Sequence, residues 1–186
     1  MRGTSKIRVL LLALAALFAA SSANAQLNSN RPTVNLNAVV SPSLAVAASP
    51  ATVNFNGLPN TVVNGNVPVS ITTAWNMPVG FSGFVADISC WAYFTAPAVA
   101  LTNGAGSNIP ANRVSGSVNG GAFAPFNTVG PFSTASRQIF AQTVLSLGGL
   151  TQSSRTDSLA LRIDTTGMGL PAGVYTGVLR IQARAI

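Results

Sequence analysis

Apolar and polar residues alternate along most of this chain, and that period of two constrains its architecture more than any other feature. Successive side chains of a strand point to opposite faces, so alternation makes one oily face and one wet one. The C-terminal region is clearest. In Ser158-Leu-Ala-Leu-Arg-Ile-Asp164, Leu159, Leu161 and Ile163 share a face opposite Ser158, Ala160, Arg162 and Asp164. After a turn at Thr165–Gly173, the residues Tyr175, Gly177, Leu179, Ile181, Ala183 and Ala185 share a face opposite Thr176, Val178, Arg180, Gln182 and Arg184. The pattern predicts that these two segments pair as a half-buried antiparallel unit, in which Leu179→Asp prevents folding. No stretch repeats apolar residues at helical spacing over three turns, so the expected class is all-β.

Nine strands are expected at Thr33–Val40, Ser43–Ala47, Ala51–Phe55, Val67–Trp75, Gly83–Phe94, Arg113–Val118, Arg137–Leu145, Ser158–Asp164 and Gly173–Ala185. Ala98–Thr102 and Ala122–Phe126 are weaker candidates. About eight to ten short strands with frequent turn signals suggest a sandwich or barrel. Four Asn-Gly dipeptides punctuate them, at Asn56, Asn64, Asn103 and Asn119. Both residue types tolerate positive φ, which a tight hairpin turn needs at its two central positions. Asn64-Gly65 and Asn119-Gly120 lie between alternating segments and are expected to close hairpins.

The N-terminus reads as an export signal. Arg2, Lys6 and Arg8 precede a 12-residue apolar run, Val9–Ala20, and a small-x-small site at Ala23-Asn24-Ala25. That run is short of the roughly 20 residues needed to span a bilayer. The expectation is a cleaved signal at 1–25, a flexible leader at 26–32 and a single domain at 33–186. The product is then exported to the periplasm, cell surface or medium, with no stable membrane insertion.

From Gln26 onward the chain holds seven Arg, three Asp and no Lys, Glu or His, a net charge of +4. The arginines are dispersed singly. A nucleic-acid groove needs clustered cations, so no nucleic-acid partner is expected. Nucleophilic triads need an imidazole or lysine base, and neither is present. Glycoside hydrolysis needs two facing carboxylates. Asp157 and Asp164 fall on opposite faces of one strand, and the three aspartates read as surface or turn residues. An ion pair of Asp164 with an arginine of the last strand is one option for it. Metal sites lack ligands of the right type and spacing, so no metal and no cofactor are expected, and the protein is not read as an enzyme.

Cys90 shares parity with Phe84, Ala86, Ile88, Ala92 and Phe94, which predicts a buried, inert thiol. Asp87, Trp91 and Tyr93 take the other face. Two readings of that face compete: exposed aromatics that bind a sugar ring or another subunit, or a face covered by a further layer.

The closing segment Leu170-Pro-Ala-Gly-Val-Tyr-Thr-Gly-Val-Leu-Arg-Ile-Gln-Ala-Arg-Ala-Ile186 resembles the last strand of bacterial secreted pilin-like β-sandwiches of the spore-coat-protein-U type. The opening, Val34-Asn-Leu-Asn-Ala-Val-Val-Ser-Pro-Ser-Leu-Ala-Val46 followed by Ala51-Thr-Val-Asn-Phe55, is similar to their first two strands. The resemblance covers about a third of the exported part, at its two ends. It implies an immunoglobulin-like antiparallel sandwich that is surface-exposed, structural or built into filaments. Chaperone-assembled pilins of similar pattern usually carry a cysteine pair, whereas Cys90 is the single cysteine here.

The expected function is therefore an exported, non-catalytic structural or adhesive protein, a coat or fimbria-like subunit assembling through edge strands with itself or another exported subunit. The alternative is a monomeric glycan-binding module. The residues expected at an interaction surface are Trp91 and Tyr93, with Val34, Leu36, Ala38 and Val40 as the apolar face of a donor or edge strand.

Overall fold

A computed structural model describes residues 35, 43–57, 59–77, 85–145 and 151–186. Asn35 apart, these belong to one compact unit, Val40–Ile186. The expected signal, leader and first strand, with Val34, Leu36, Ala38 and Val40, lie outside the described residues.

The described chain is all-β. Its strands are β1 (Ser43–Ser49), β2 (Val62–Asn64), β3 (Val69–Met77), β4 (Val85–Phe94), β5 (Leu101–Thr102), β6 (Asn108–Ile109), β7 (Val114–Val118), β8 (Ala124–Pro125), β9 (Ala135–Leu145), β10 (Thr151–Asp164) and β11 (Arg180–Ala185). One sheet runs β1-β3-β10-β7-β8, with β2 also beside β10; a second runs β11-β4-β9; β5 and β6 form a small ribbon. Every strand pairing is antiparallel.

The expected packed faces of β10 and β4 hold. Leu159, Leu161 and Ile163 of β10 are 0, 7 and 4% exposed. Ala86, Ile88, Cys90, Ala92 and Phe94 of β4 are all buried. Both sets enter one hydrophobic cluster with Val69, Ile71 and Trp75 of β3 and Ile139 and Phe140 of β9, so the inner faces of both large sheets share a core. Burying each such large side chain contributes about 1.5–3 kcal/mol. A register shift opposite Cys90 and Trp91 lets β9 place consecutive residues, Ile139 and Phe140, in the core. Such a bulge re-aims side chains without ending the strand.

Three expectations are corrected. The two C-terminal segments do not pair with each other: β10 joins β3, β7 and β2, whereas β11 joins β4 in the other sheet. Residues 165–179 carry the chain between sheets, and the strand expected from Gly173 begins only at Arg180. Secondly, Ala51–Phe55 forms no strand beyond an isolated bridge from Phe55 to Gly65. Thirdly, Asn64-Gly65 is not a hairpin turn. Asn64 ends β2, and Gly65 continues beside β10, its N–H donating to the Leu161 carbonyl at 2.8 Å. A Cβ on Gly65 would sit 2.6 Å from Val53 Cγ1, so glycine there answers a close approach rather than a positive φ.

Asn119-Gly120 does close a hairpin. Their φ values are +51° and +75°, and the Gly121 N–H donates to the Val118 carbonyl at 2.9 Å. That is the twist-matched geometry of a two-residue turn, and it brings β8 back onto β7. Asn103-Gly104 also lies in a reversal, between β5 and β6, where Asn103 Oδ1 accepts from the Ala105 and Ser107 N–H groups.

Candidate interaction surface

Trp91 and Tyr93 do lie on the outer face of β4, but they do not make an open platform there. Tyr93 is 8% exposed, and its ring stacks on Phe132 with centroids 5.6 Å apart. Its hydroxyl donates to Gln182 Oε1 at 3.0 Å. Trp91 is half-buried, with its indole N–H enclosed and unpartnered. The segment from Phe126 to Ser136 provides the cover. Thr128 and Ser136 exchange backbone hydrogen bonds, and the Ser133 hydroxyl donates to the Phe94 carbonyl at 2.6 Å. Gly130 approaches so closely that a Cβ would stand 2.9 Å from Trp91 Cε3. Of the three outer residues, Asp87 alone remains in water, where it accepts from the Thr143 hydroxyl at 2.7 Å.

Asp157 departs from its expected place on the surface or in a turn. It is 2% exposed on the inner face of β10. Arg155 donates to both of its oxygens, at 2.8 and 2.6 Å, and Asn119 Nδ2 donates at 2.8 Å. Burial alone would raise this carboxyl, but the donors and the Arg155 charge outweigh it and hold it below the usual carboxylate range. Arg155 in turn lies 4.4 Å above the Phe140 ring. Asn119 Oδ1 also accepts from the Ser158 N–H, so the hairpin turn is tied to the buried pair. A buried charge needs such partners to be tolerated. Burial likewise pushes the Cys90 thiol above its ordinary value, which favours the protonated form over a reactive thiolate.

The chemical inventory is spare. Among the described residues, no three metal-capable side chains of the His, Cys, Asp and Glu types cluster. Asp157 faces inward; Asp164 faces outward, 3.9 Å from Arg113 and not paired to the last strand.

What the geometry offers instead is an apolar groove of about 980 Å³. Ala48 near the end of β1, Val53 and Phe55 line one part of it, and residues 170–179 with Ile181 line another. Core residues Phe94, Leu161 and Ile163 also reach its wall. The groove exists because β11 was left with a thin cover. Leu179, Ile181 and Ala183 have the parity expected of a buried face, yet all are only half-buried. Val174 and Val178 are 80 and 68% exposed. Residues 170–179 are held in place nonetheless. Thr176 exchanges two 2.9 Å backbone hydrogen bonds with Thr102, and Gly177 packs so tightly that a Cβ would collide with the Ala100 carbonyl. Among the described residues, no strand other than β4 is hydrogen-bonded to β11.

Comparison with protein-family models, with curated proteins and with solved structures finds no match.

Proposed function

We propose that the protein is an exported, non-catalytic structural subunit that assembles by strand addition along β11. Support comes from a single juxtaposition: an edge of β11 that pairs with no strand among the described residues lies next to an apolar groove. A strand laid along such an edge gains backbone hydrogen bonds, and its alternate side chains fill the adjacent apolar surface. The occupant that fits is the Thr33–Val40 segment of a second copy. Val34, Leu36, Ala38 and Val40 would give it an apolar face of period two, and it carries no charged residue. The two sheets closing on one core are read here as the layers of an immunoglobulin-like sandwich, which is the architecture the pilin-like resemblance implies. Export rests on the N-terminal charge, apolar run and small-residue site.

The assembly reading is preferred over the glycan-binding alternative because Phe132 stacks on Tyr93 and Gly130 lies close to Trp91.

Light scattering across a concentration series tests the assembly. The chain from Gln26 is expected to form oligomers, and the same chain lacking residues 26–36 is expected to stay monomeric. A chain from Gln26 that remains monomeric at high concentration removes the proposal. So does an assembly that the deletion leaves unchanged.

A further inference from the structure

A second feature of the same strands faces the opposite way. β10 turns Leu161 and Ile163 inward and Arg162 and Asp164 outward. On that outer side Arg162, Asp164, Arg113, Ser115, Asn112 and Phe123 line a cleft of about 500 Å³. Strand register sets most of it in place. Arg162 stands opposite Asn64 of β2 on one side and Ser115 of β7 on the other. Arg113 precedes β7, whose first residue, Val114, pairs with Ile163, so its guanidinium falls beside Asp164. Phe123 arrives from the Asn119-Gly120 hairpin and lies under the Arg162 guanidinium, 4.4 Å from it.

Neither guanidinium has an acceptor at hydrogen-bond distance among the described residues. Arg113 reaches only Asp164, at 3.9 Å, which is beyond hydrogen-bond range. Of the Asp164 oxygens, Oδ1 accepts from the Thr166 N–H at 2.9 Å, and Oδ2 is the one that faces Arg113. Arg162 Nε is enclosed and unpartnered. Stacking occupies the flat face of a guanidinium and leaves its N–H donors free in the plane. The cleft thus presents the terminal N–H donors of two guanidinium groups, a net positive charge and neutral hydroxyl and amide groups from Ser115 and Asn112.

We propose that this cleft binds a compact oxyanion, the carboxylate or sulfate group of an acidic ligand, held by Arg113 and Arg162. Guanidinium forks match the planar or tetrahedral oxygens of such groups and bind them by charge-assisted hydrogen bonds. Ser115 and Asn112 would satisfy remaining oxygens. Asp164 opposes the anion, which makes the site weak and gives the proposal a distinctive signature.

Amide chemical-shift titration at constant ionic strength provides the test, with sulfate, glucuronate and neutral glucose as probes. Saturable shifts confined to Ser115, Phe123 and residues 162–164 are expected with sulfate, glucuronate or both, and none with glucose. Saturation by sulfate alone assigns the site to a free anion, and saturation by glucuronate assigns it to an acidic sugar; either supports the proposal. Arg113→Gln and Arg162→Gln should each weaken binding at least about tenfold, the loss expected for one charge-assisted hydrogen bond. Asp164→Asn should tighten it. Because Arg162 also packs on Phe123, Arg113→Gln is the primary variant, checked against an unchanged melting curve. Shifts that never saturate overturn the proposal, as do shifts that persist in Arg113→Gln or follow chloride equally well.

Discussion

β10 and β11 carry the same alternating pattern in sequence and meet different fates. In β10, Leu159, Leu161 and Ile163 are at most 7% exposed, because strands flank it on both sides and the second sheet lies over its inner face. Leu179, just before β11, and Ile181 and Ala183 within it hold the same parity but are half-buried, at the edge of a sheet with three described strands and beside an apolar groove. Alternation therefore decides which way a side chain points. How deeply it is buried depends on what lies across from it, which is a non-local property.

Truncation should separate the two strands. Leu159→Ala removes a fully buried side chain and is expected to cost about 2–5 kcal/mol in denaturant unfolding, whereas Leu179→Ala is expected to cost under about half of that. Leu179→Asp, expected from the pattern alone to prevent folding, should leave a folded monomer whose defect lies in assembly. Equal costs for the two leucines would break the comparison.

The next largest effect belongs to Asp157. With Arg155 about one third exposed, Asp157→Ala is expected to cost about 3 kcal/mol, near the lower end for breaking a buried pair. The native carboxyl sits below its ordinary value. Its contribution is therefore full above the unfolded value, near 4, and is lost as pH falls through the native one. Asp157→Asn should flatten that acid limb of the stability profile, and an unchanged limb would refute the assignment.

Smaller effects distinguish the Asn-Gly pairs. Gly120→Ala forces a Cβ onto φ +75° and should cost about 1 kcal/mol through backbone strain alone. Gly65→Ala acts through contact with Val53, so trimming that neighbour with Val53→Ala should recover most of its loss. The same trimming should leave Gly120→Ala unaffected.

Much of the fold was legible from side-chain chemistry. The Cys90 face, the Leu159 face and the Asn119-Gly120 turn all follow from local pattern. Strand partnership did not, because β10 and β11 are adjacent in sequence yet belong to different sheets. The first half of β10, Thr151-Gln-Ser-Ser-Arg-Thr-Asp157, is wholly polar and carries no alternation signal. It is a strand because β3 pairs with it, with the Thr72 and Thr156 hydroxyls hydrogen-bonded across at 3.0 Å. That same polarity hid the burial of Asp157, whose partners Arg155 and Asn119 meet only after β7 and β10 pair. The groove was illegible for a related reason. A pattern can show that Leu179 and Ile181 share a face, but not that β11 lies at the edge of its sheet among the described residues. The aromatic pair was half legible: parity put Trp91 and Tyr93 on the outer face, and only the later Phe126–Ser136 segment covers it.

The most direct test is amide hydrogen exchange along Arg180–Ala185 in the chain from Gln26, compared with a Leu36→Asp variant. Amides that face β4 should be protected in both and serve as the folding control. The account predicts that amides on the opposite edge are protected in the assembled protein and exchange freely in the variant. Rapid exchange on that edge in both proteins, or slow exchange in both, would contradict it.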